Sequence, residues 1–176
     1  MAAGLQVFGQ PASTDVARVL TCLFEKDLEF ELVCIDTFKR EHKLPEFIKL
    51  RDPNGQVTFK HGDKTIVGFE DNVNPMCRFK GYMPDHAVIA ENEKKLQQVL
   101  NVYDEILSKN EYLAGDEFTL ADLSHLPNSH YIVSSERGRK LFTGRKNVAR
   151  WYDQISKRET WKQVVKMQRE HPGAFE

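Results

Sequence analysis

Ser13 is the first residue whose type and position could do chemistry. It precedes Val16, Val19, Leu20, Leu23 and Phe24, which recur at the spacing of one helix face. A hydroxyl at the first turn of a helix has two uses. It can cap the helix, as Thr14 also could, with Asp15 suiting the positive end of the dipole. Alternatively, it can donate a hydrogen bond to an anion held at the unpaired first-turn amides, which favours the ionised form of a group such as a thiol. On residue types alone, capping is the commoner role.

A second constellation is Thr119 with Asp122, three residues on. The Thr119 hydroxyl can accept from the Asp122 amide, and the Asp122 carboxylate can reach back to the Thr119 amide. This is a capping box with Asp in the place of Glu or Gln, and Phe118 with Leu123 can close a hydrophobic staple around it. Its plain meaning is a well-started helix. His125 and His130 are five apart with Pro127 between them, so they make no metal pair on one helix face. Arg137, Gly138, Arg139 and Lys140 read as a solvated loop. Cys22, Cys34 and Cys77 are odd in number and fit neither a disulfide framework nor a zinc site. No C-x-x-C pair is present, so disulfide exchange of the thioredoxin kind lacks its key feature.

Elements of two kinds must position these residues. Residues 5–9 (LQVFG) and 29–36 (EFELVCID) read as strands flanking the Ser13 helix, a βαβ unit with parallel strands. Residues 37–50 are polar, with a short helix possible over 45–50. Residues 51–55 form a turn cluster. Residues 56–59 and 64–67 read as a hairpin joined by 60–63. Residues 68–84 hold two prolines and two glycines and show no period, which reads as a linker with at most a short helix. From residue 85 the chain turns helical. Leu96, Val99, Leu100, Tyr103, Ile106 and Leu107 form one stripe, and Val148, Trp151, Tyr152 and Ile155 a second. Trp161, Val164 and Val165 mark a third, followed by an irregular tail over 171–176.

The bulk composition excludes several classes. Acidic and basic residues nearly cancel to a net charge of -1 and are interleaved, so there is no basic stripe for nucleic acid. With 40% hydrophobic and 29% charged residues, the chain reads as globular rather than disordered. The N-terminus MAAGLQVFGQPAS lacks the charged start and apolar core of a signal peptide. No apolar run is long enough for a bilayer. Together with reduced cysteines, this gives a cytoplasmic expectation.

Residues 112–122 (YLAGDEFTLAD) resemble the hallmark of the helical domain of glutathione transferases. Residues 7–14 (VFGQPAST) with Arg18, Val19 and Leu20 resemble the plant phi class, as do His42-Lys43, residues 54–57 (NGQV) and residues 61–63 (HGD). The matches come in family order and cover nearly the whole chain outside 68–84.

The resemblance implies an α/β plus all-α chain: a thioredoxin-like N-terminal domain over 1–67 that binds glutathione, a shortened linker over 68–84, and an all-helical C-terminal domain over 85–176. It implies conjugation of reduced glutathione to hydrophobic electrophiles in detoxification, with a peroxidase side activity. The alternative is a weak or inactive ligand-binding scaffold on the same fold. Ser13 would be the catalytic hydrogen-bond donor to the glutathione thiolate. His42 and Lys43 match residues at the glycine end of glutathione, where a cation meets a carboxylate. Gln56 matches a side-chain contact, and Val57 a backbone contact to the cysteinyl part, a strand addition in miniature. On residue types alone, His42 and Lys43 remain a solvated loop and Gln56 an exposed strand position. Glutathione enters as co-substrate, with no cofactor and no metal. A homodimer is the partner state the resemblance implies, against which stands the shortened segment.

Three departures from the family pattern sit close together. Thr58 stands where the family carries a cis proline, and a non-proline cis bond costs about 2.5–4 kcal/mol, so trans is expected. Gly68-Phe69 stand where an acidic residue and Ser hold the γ-glutamyl end, although Glu70 could partly substitute if the frame shifted by two. Finally, only residues 68–84 span the gap where the family has one complete helix and then another long helix. Their clustering points to one deletion or an altered splice.

Overall fold

The computed structural model describes residues 4–35, 39, 41, 44–45, 58–61, 64–67 and 86–171. Strand β1 (Leu5–Phe8), helix α1 (Thr14–Glu25) and strand β2 (Phe30–Val33) come first, then the hairpin strands β3 (Thr58–His61) and β4 (Lys64–Val67). Among the described residues six further helices follow: α2 (His86–Leu107), α3 (Leu120–Leu123), α4 (Leu126–Val133), α5 (Glu136–Thr143), α6 (Lys146–Ser156) and α7 (Glu159–Glu170). This is a thioredoxin-like sheet followed by an all-helical stretch, the class read from the sequence. Of the expected helix at 45–50 only Pro45 is described, and the linker at 68–84 lies outside the described residues.

The sheet order is β2-β1-β3-β4. β1 and β2 are parallel, as the intervening helix requires. β3 is antiparallel to both β1 and β4. The hairpin differs from its sequence reading at one point. β3 continues through Lys60 and His61, because both pair with β1, at Gln6 and Leu5. The connection to Lys64 then shortens to two residues, a favoured hairpin length.

The described residues fall into two compact units. One takes in those of segments 1–70, 123–128 and 156–176; the other takes in those of 71–122 and 129–155.

In the first unit, α1 buries Val16, Ala17, Leu20, Thr21 and Leu23. The expected face is present but turned slightly, with Val19 and Phe24 only half-buried. The Phe24 ring meets Phe30 of β2 edge-on at 5.2 Å between centroids. α1 stops in a Schellman arrangement. Asp27 adopts φ 51, Asp27 N–H donates to Phe24 O at 3.1 Å, and Leu28 N–H donates to Leu23 O at 3.0 Å. Trp161 and Val164 of α7 are buried in the same unit, as are Val7, Leu123 and Leu126.

In the second unit, α2 buries Leu100 and Leu107, with Glu93, Leu96, Gln97, Tyr103 and Asp104 half-buried at the same helical spacing. Val99 was expected on this stripe but is 45% exposed, one position too far around the helix. α6 contributes Val148, Trp151 and Ile155. Polar ties fix α6 to α2. Asp104 Oδ1 accepts from the Asn147 and Val148 amides at 2.9 and 3.2 Å, placing a carboxylate on the positive end of α6. Arg150 returns the favour at the negative end of α2, donating to Leu107 O at 2.8 Å and Asn110 O at 3.1 Å.

Arg137, Gly138, Arg139 and Lys140 are not a solvated loop: they lie within α5. Ser135 caps that helix, its Oγ accepting from Gly138 N at 3.0 Å. Gly138 is buried because the chain passes so near Ile132 that a Cβ would sit 2.1 Å from the Ile132 carbonyl oxygen. Arg137 pairs with Glu93 of α2.

The capping box forms with one change of partner. Asp122 Oδ2 accepts from Thr119 N at 2.9 Å, as the spacing requires, but the Thr119 hydroxyl accepts from Ala121 N at 3.2 Å rather than from Asp122. Pro127 explains why the helix restarts after Ser124 and His125. It falls in the first turn of α4, where a missing N–H breaks nothing.

Candidate functional site

The candidate site lies in the first unit, at the end of the sheet where β1 and β2 finish and β3 begins. Phe8 pairs with Val33 on one side and Thr58 on the other. The chain that leaves β1 toward Ser13 therefore departs from the same edge at which Thr58 enters. Gly9 follows β1, buried and at φ 152, a conformation suited to glycine. Its N–H donates to Val33 O at 3.0 Å.

A tight turn then sets Ser13. Ser13 N–H donates to Gln10 O at 2.9 Å, with Pro11 at the second turn position, where its fixed φ is favoured. Ser13 occupies the N-cap place of α1 with φ -68 and ψ 133, and its carbonyl accepts from Ala17 N at 2.9 Å. Its side chain makes no capping hydrogen bond. The residue is half-buried, and its hydroxyl is not spent on the first-turn amides, which an α-helix leaves without intrahelical partners. An anion at this point would meet both a hydroxyl donor and the positive end of a three-turn helix. Asp15 works against such an anion, but Arg18 pairs with its carboxylate. Arg18 also donates through Nε to Ser124 O at 2.9 Å.

The C-terminal helix holds α1 at both ends. Gln168 Nε2 donates to Pro11 O at 2.9 Å, two residues before Ser13. At the other end, Arg158 donates to both Glu25 oxygens at 2.7 and 2.6 Å, and the Thr160 hydroxyl donates to Glu25 as well. The Arg158 hydrogen bonds, with a smaller one from Thr160 and nearby positive charge, outweigh burial and hold the Glu25 carboxyl below its ordinary value. Beyond the end of β2, burial pushes the Cys34 thiol up, away from the depressed range of a reactive thiolate.

Of the site residues read from the sequence, Ser13 is described. His42, Lys43, Gln56 and Val57 lie outside the described residues, as do Gly68, Phe69 and Glu70. Thr58 opens the central strand β3, paired with Phe8 and Val67. Unlike the proline of the family, it carries an N–H for that ladder. Gln168 and Arg158 were not legible, because nothing local in the sequence relates them to positions more than a hundred residues earlier.

Sheet order, helix succession and an uncapped hydroxyl at the head of α1 together define a protein of the thioredoxin-like plus all-helical class. Comparisons narrow this. Residues 72–159 match the family model for the glutathione S-transferase C-terminal domain. Glutathione S-transferase F11 of Arabidopsis thaliana is 34% identical over 210 residues, covering 93% of this chain and 98% of that protein. Glutathione S-transferase F7 of the same plant is 33% identical over 213 residues, covering 93% and 100%. The crystal structure of poplar glutathione transferase F1 superposes with TM-score 0.83 at 35% identity, covering 96% of this chain and 100% of that one. The chain belongs to the glutathione S-transferase family, and its relatives place it with the plant phi class. The alignment to F11 is longer than the 176 residues of this chain, so that relative carries internal sequence with no counterpart here. Among the described residues, no helix is long and apolar enough to cross a membrane.

Proposed function

We propose that this protein conjugates reduced glutathione to hydrophobic electrophiles, with Ser13 as the hydrogen-bond donor that keeps the glutathione sulfur ionised. The observation that carries the reading is the Ser13 hydroxyl, set at the head of α1 and free of any capping bond. A thiol near pKa 8.5 is mostly protonated at neutral pH, and only its thiolate attacks well. A donor to the charged form lowers that pKa. The proton leaves to solvent, the thiolate forms a carbon–sulfur bond, and a leaving group such as halide departs with the bonding electrons. Reduction of organic hydroperoxides would use the same thiolate: two glutathiones become one disulfide while the peroxide becomes alcohol and water.

His42 and Lys43 are proposed to take the glycine carboxylate, Gln56 a side-chain contact, and Val57 the backbone contact to the cysteinyl residue. The shared edge of β1 and β3 supports the last two, since residues 56 and 57 lead directly into Thr58. A division into a glutathione-binding domain over 1–67, a short linker over 68–84 and a helical domain over 85–176 belongs to the same reading, as does a cytoplasmic, detoxifying role. A homodimer belongs to it as well.

A second reading has one observation in its favour. The longer F11 alignment means that part of that relative has no counterpart here, and a chain without it could bind glutathione as a scaffold with little turnover. Turnover of an aromatic halide with glutathione separates the two. Loss of the Ser13 donor bond, a charge-assisted bond of about 1.5–3 kcal/mol, is expected to slow Ser13→Ala by about ten- to a hundred-fold. An unchanged rate in Ser13→Ala removes the mechanism, and absence of binding at millimolar glutathione removes the enzyme reading and leaves the ligand-binding scaffold.

A further inference from the structure

We propose that Gln168 of α7 is a positioning residue for Ser13, acting through the Pro11 carbonyl; this rests on the Ser13 reading above. The turn that sets Ser13 runs from Gln10 to Ser13, closed by the Ser13 N–H to Gln10 O bond. Pro11 is its second residue. Proline fixes φ but offers no N–H, so the Gln10–Pro11 side of the turn has no donor of its own at Pro11. The contact at Pro11 comes from 157 positions away: Gln168 Nε2 donates to Pro11 O at 2.9 Å. Pro11 is buried and Gln168 half-buried, so the bond is partly shielded from water and hard for solvent to replace.

The bond fixes the peptide plane between Pro11 and Ala12, and so the direction in which the chain enters Ser13. A hydroxyl that must meet a thiolate within hydrogen-bond distance loses much of its effect when misplaced by an ångström. Arg158 and Thr160 hold the opposite end of α1 through Glu25, three turns from Ser13. They brace the helix without touching the turn. α7 and its N-cap residue Arg158 thus make polar attachments of two kinds, one on the turn before α1 that bears on the aim of Ser13 and one at the far end of α1 that bears on the stability of the helix.

The test measures the pKa of glutathione bound to the protein, read from the ultraviolet thiolate band across pH, together with kcat and KM for an aromatic halide. Gln168→Leu is expected to raise that pKa by about half a unit and to lower kcat about three-fold, with KM for glutathione little changed. Gln168→Asn, one methylene shorter, is expected to behave alike and serves if the leucine variant folds poorly. Arg158→Met is expected to lower the melting midpoint and leave the pKa in place. If Ser13→Ala raises the bound pKa and neither Gln168 variant does, the positioning role is wrong and the Ser13 reading stands. If Ser13→Ala leaves the pKa unmoved, both fall. If Arg158→Met moves the pKa as far as Gln168→Leu, the effect is general loosening and the specific role of Gln168 is overturned.

Discussion

Trp151 donates its indole N–H to Asp122 Oδ1 at 2.8 Å, and both residues are buried. The same oxygen accepts from Leu113 N at 3.0 Å, while Oδ2 accepts from the Thr119 amide at 2.9 Å and the Thr119 hydroxyl at 3.3 Å. These four donors are neutral, and one carboxylate ties the 112–119 loop, the start of α3 and the middle of α6 together. Asp122→Ala would strand the buried Trp151 indole N–H and take the acceptor from the part-buried Leu113 and Thr119 amides, a loss that is costly where water cannot substitute. A loss of about 3 kcal/mol or more is expected, read as a shift of the urea midpoint. Asp122→Asn should lose about 2 kcal/mol despite its shape, since its NH2 group would face an N–H. Near-wild-type stability in the alanine variant would show that the network contributes little.

This hub shows how far the sequence reaches. Thr119 and Asp122 stand three apart, so their reciprocal bond was legible from spacing. Trp151 lies 29 positions from Asp122, and no local pattern reports a side-chain partner at that range. The same limit hid Gln168 from Pro11. The misreading of residues 137–140 has another cause. Three cations around a glycine look like a solvated turn, yet the glycine is there because a neighbouring backbone leaves no room for a side chain. Ser13 was legible as a helix start. Only the structure shows its hydroxyl free of the cap.

Gly138 offers the next test. A methyl group there would stand 2.1 Å from the Ile132 carbonyl, and backbone cannot yield as a flexible side chain would. The helix propensity of alanine favours the change by about 1 kcal/mol. Overpacking opposes it by about 1–3 kcal/mol, and so short a contact with main chain belongs at the upper end. Gly138→Ala is expected to be destabilising by about 2 kcal/mol, seen as a lowered melting midpoint. A stabilised variant would mean that α5 shifts freely against Ile132.

Glu25 ties stability to pH. Chiefly through the Arg158 hydrogen bonds, its folded carboxyl titrates below the ordinary value of 4.5. Folding therefore favours the charged form. The contribution is whole above the unfolded value and is lost as pH falls through the lowered folded value. Both partners are partly exposed, at 32% for Arg158 and 17% for Glu25, so solvent screens the pair and about 1 kcal/mol is expected. Glu25→Gln should lose that amount near neutral pH and converge on the parent protein in strong acid. A variant equally destabilised at both pH values would assign the loss to packing instead of charge.

Ser13→Ala separates chemistry from architecture. A serine that caps through its side chain costs about 1 kcal/mol when truncated. At Ser13 the bonds that shape the helix start come from the main chain, Ser13 N to Gln10 O and Ala17 N to Ser13 O, and alanine keeps both. The hydroxyl makes no capping bond to lose. Ser13→Ala is therefore expected to unfold within about 0.5 kcal/mol of the parent protein while the bound glutathione thiol becomes harder to ionise. Paired urea denaturation and thiolate absorbance on one preparation read both effects. A full cap's worth of lost stability with an unmoved thiol pKa would reverse the assignment, making Ser13 a helix cap and nothing more.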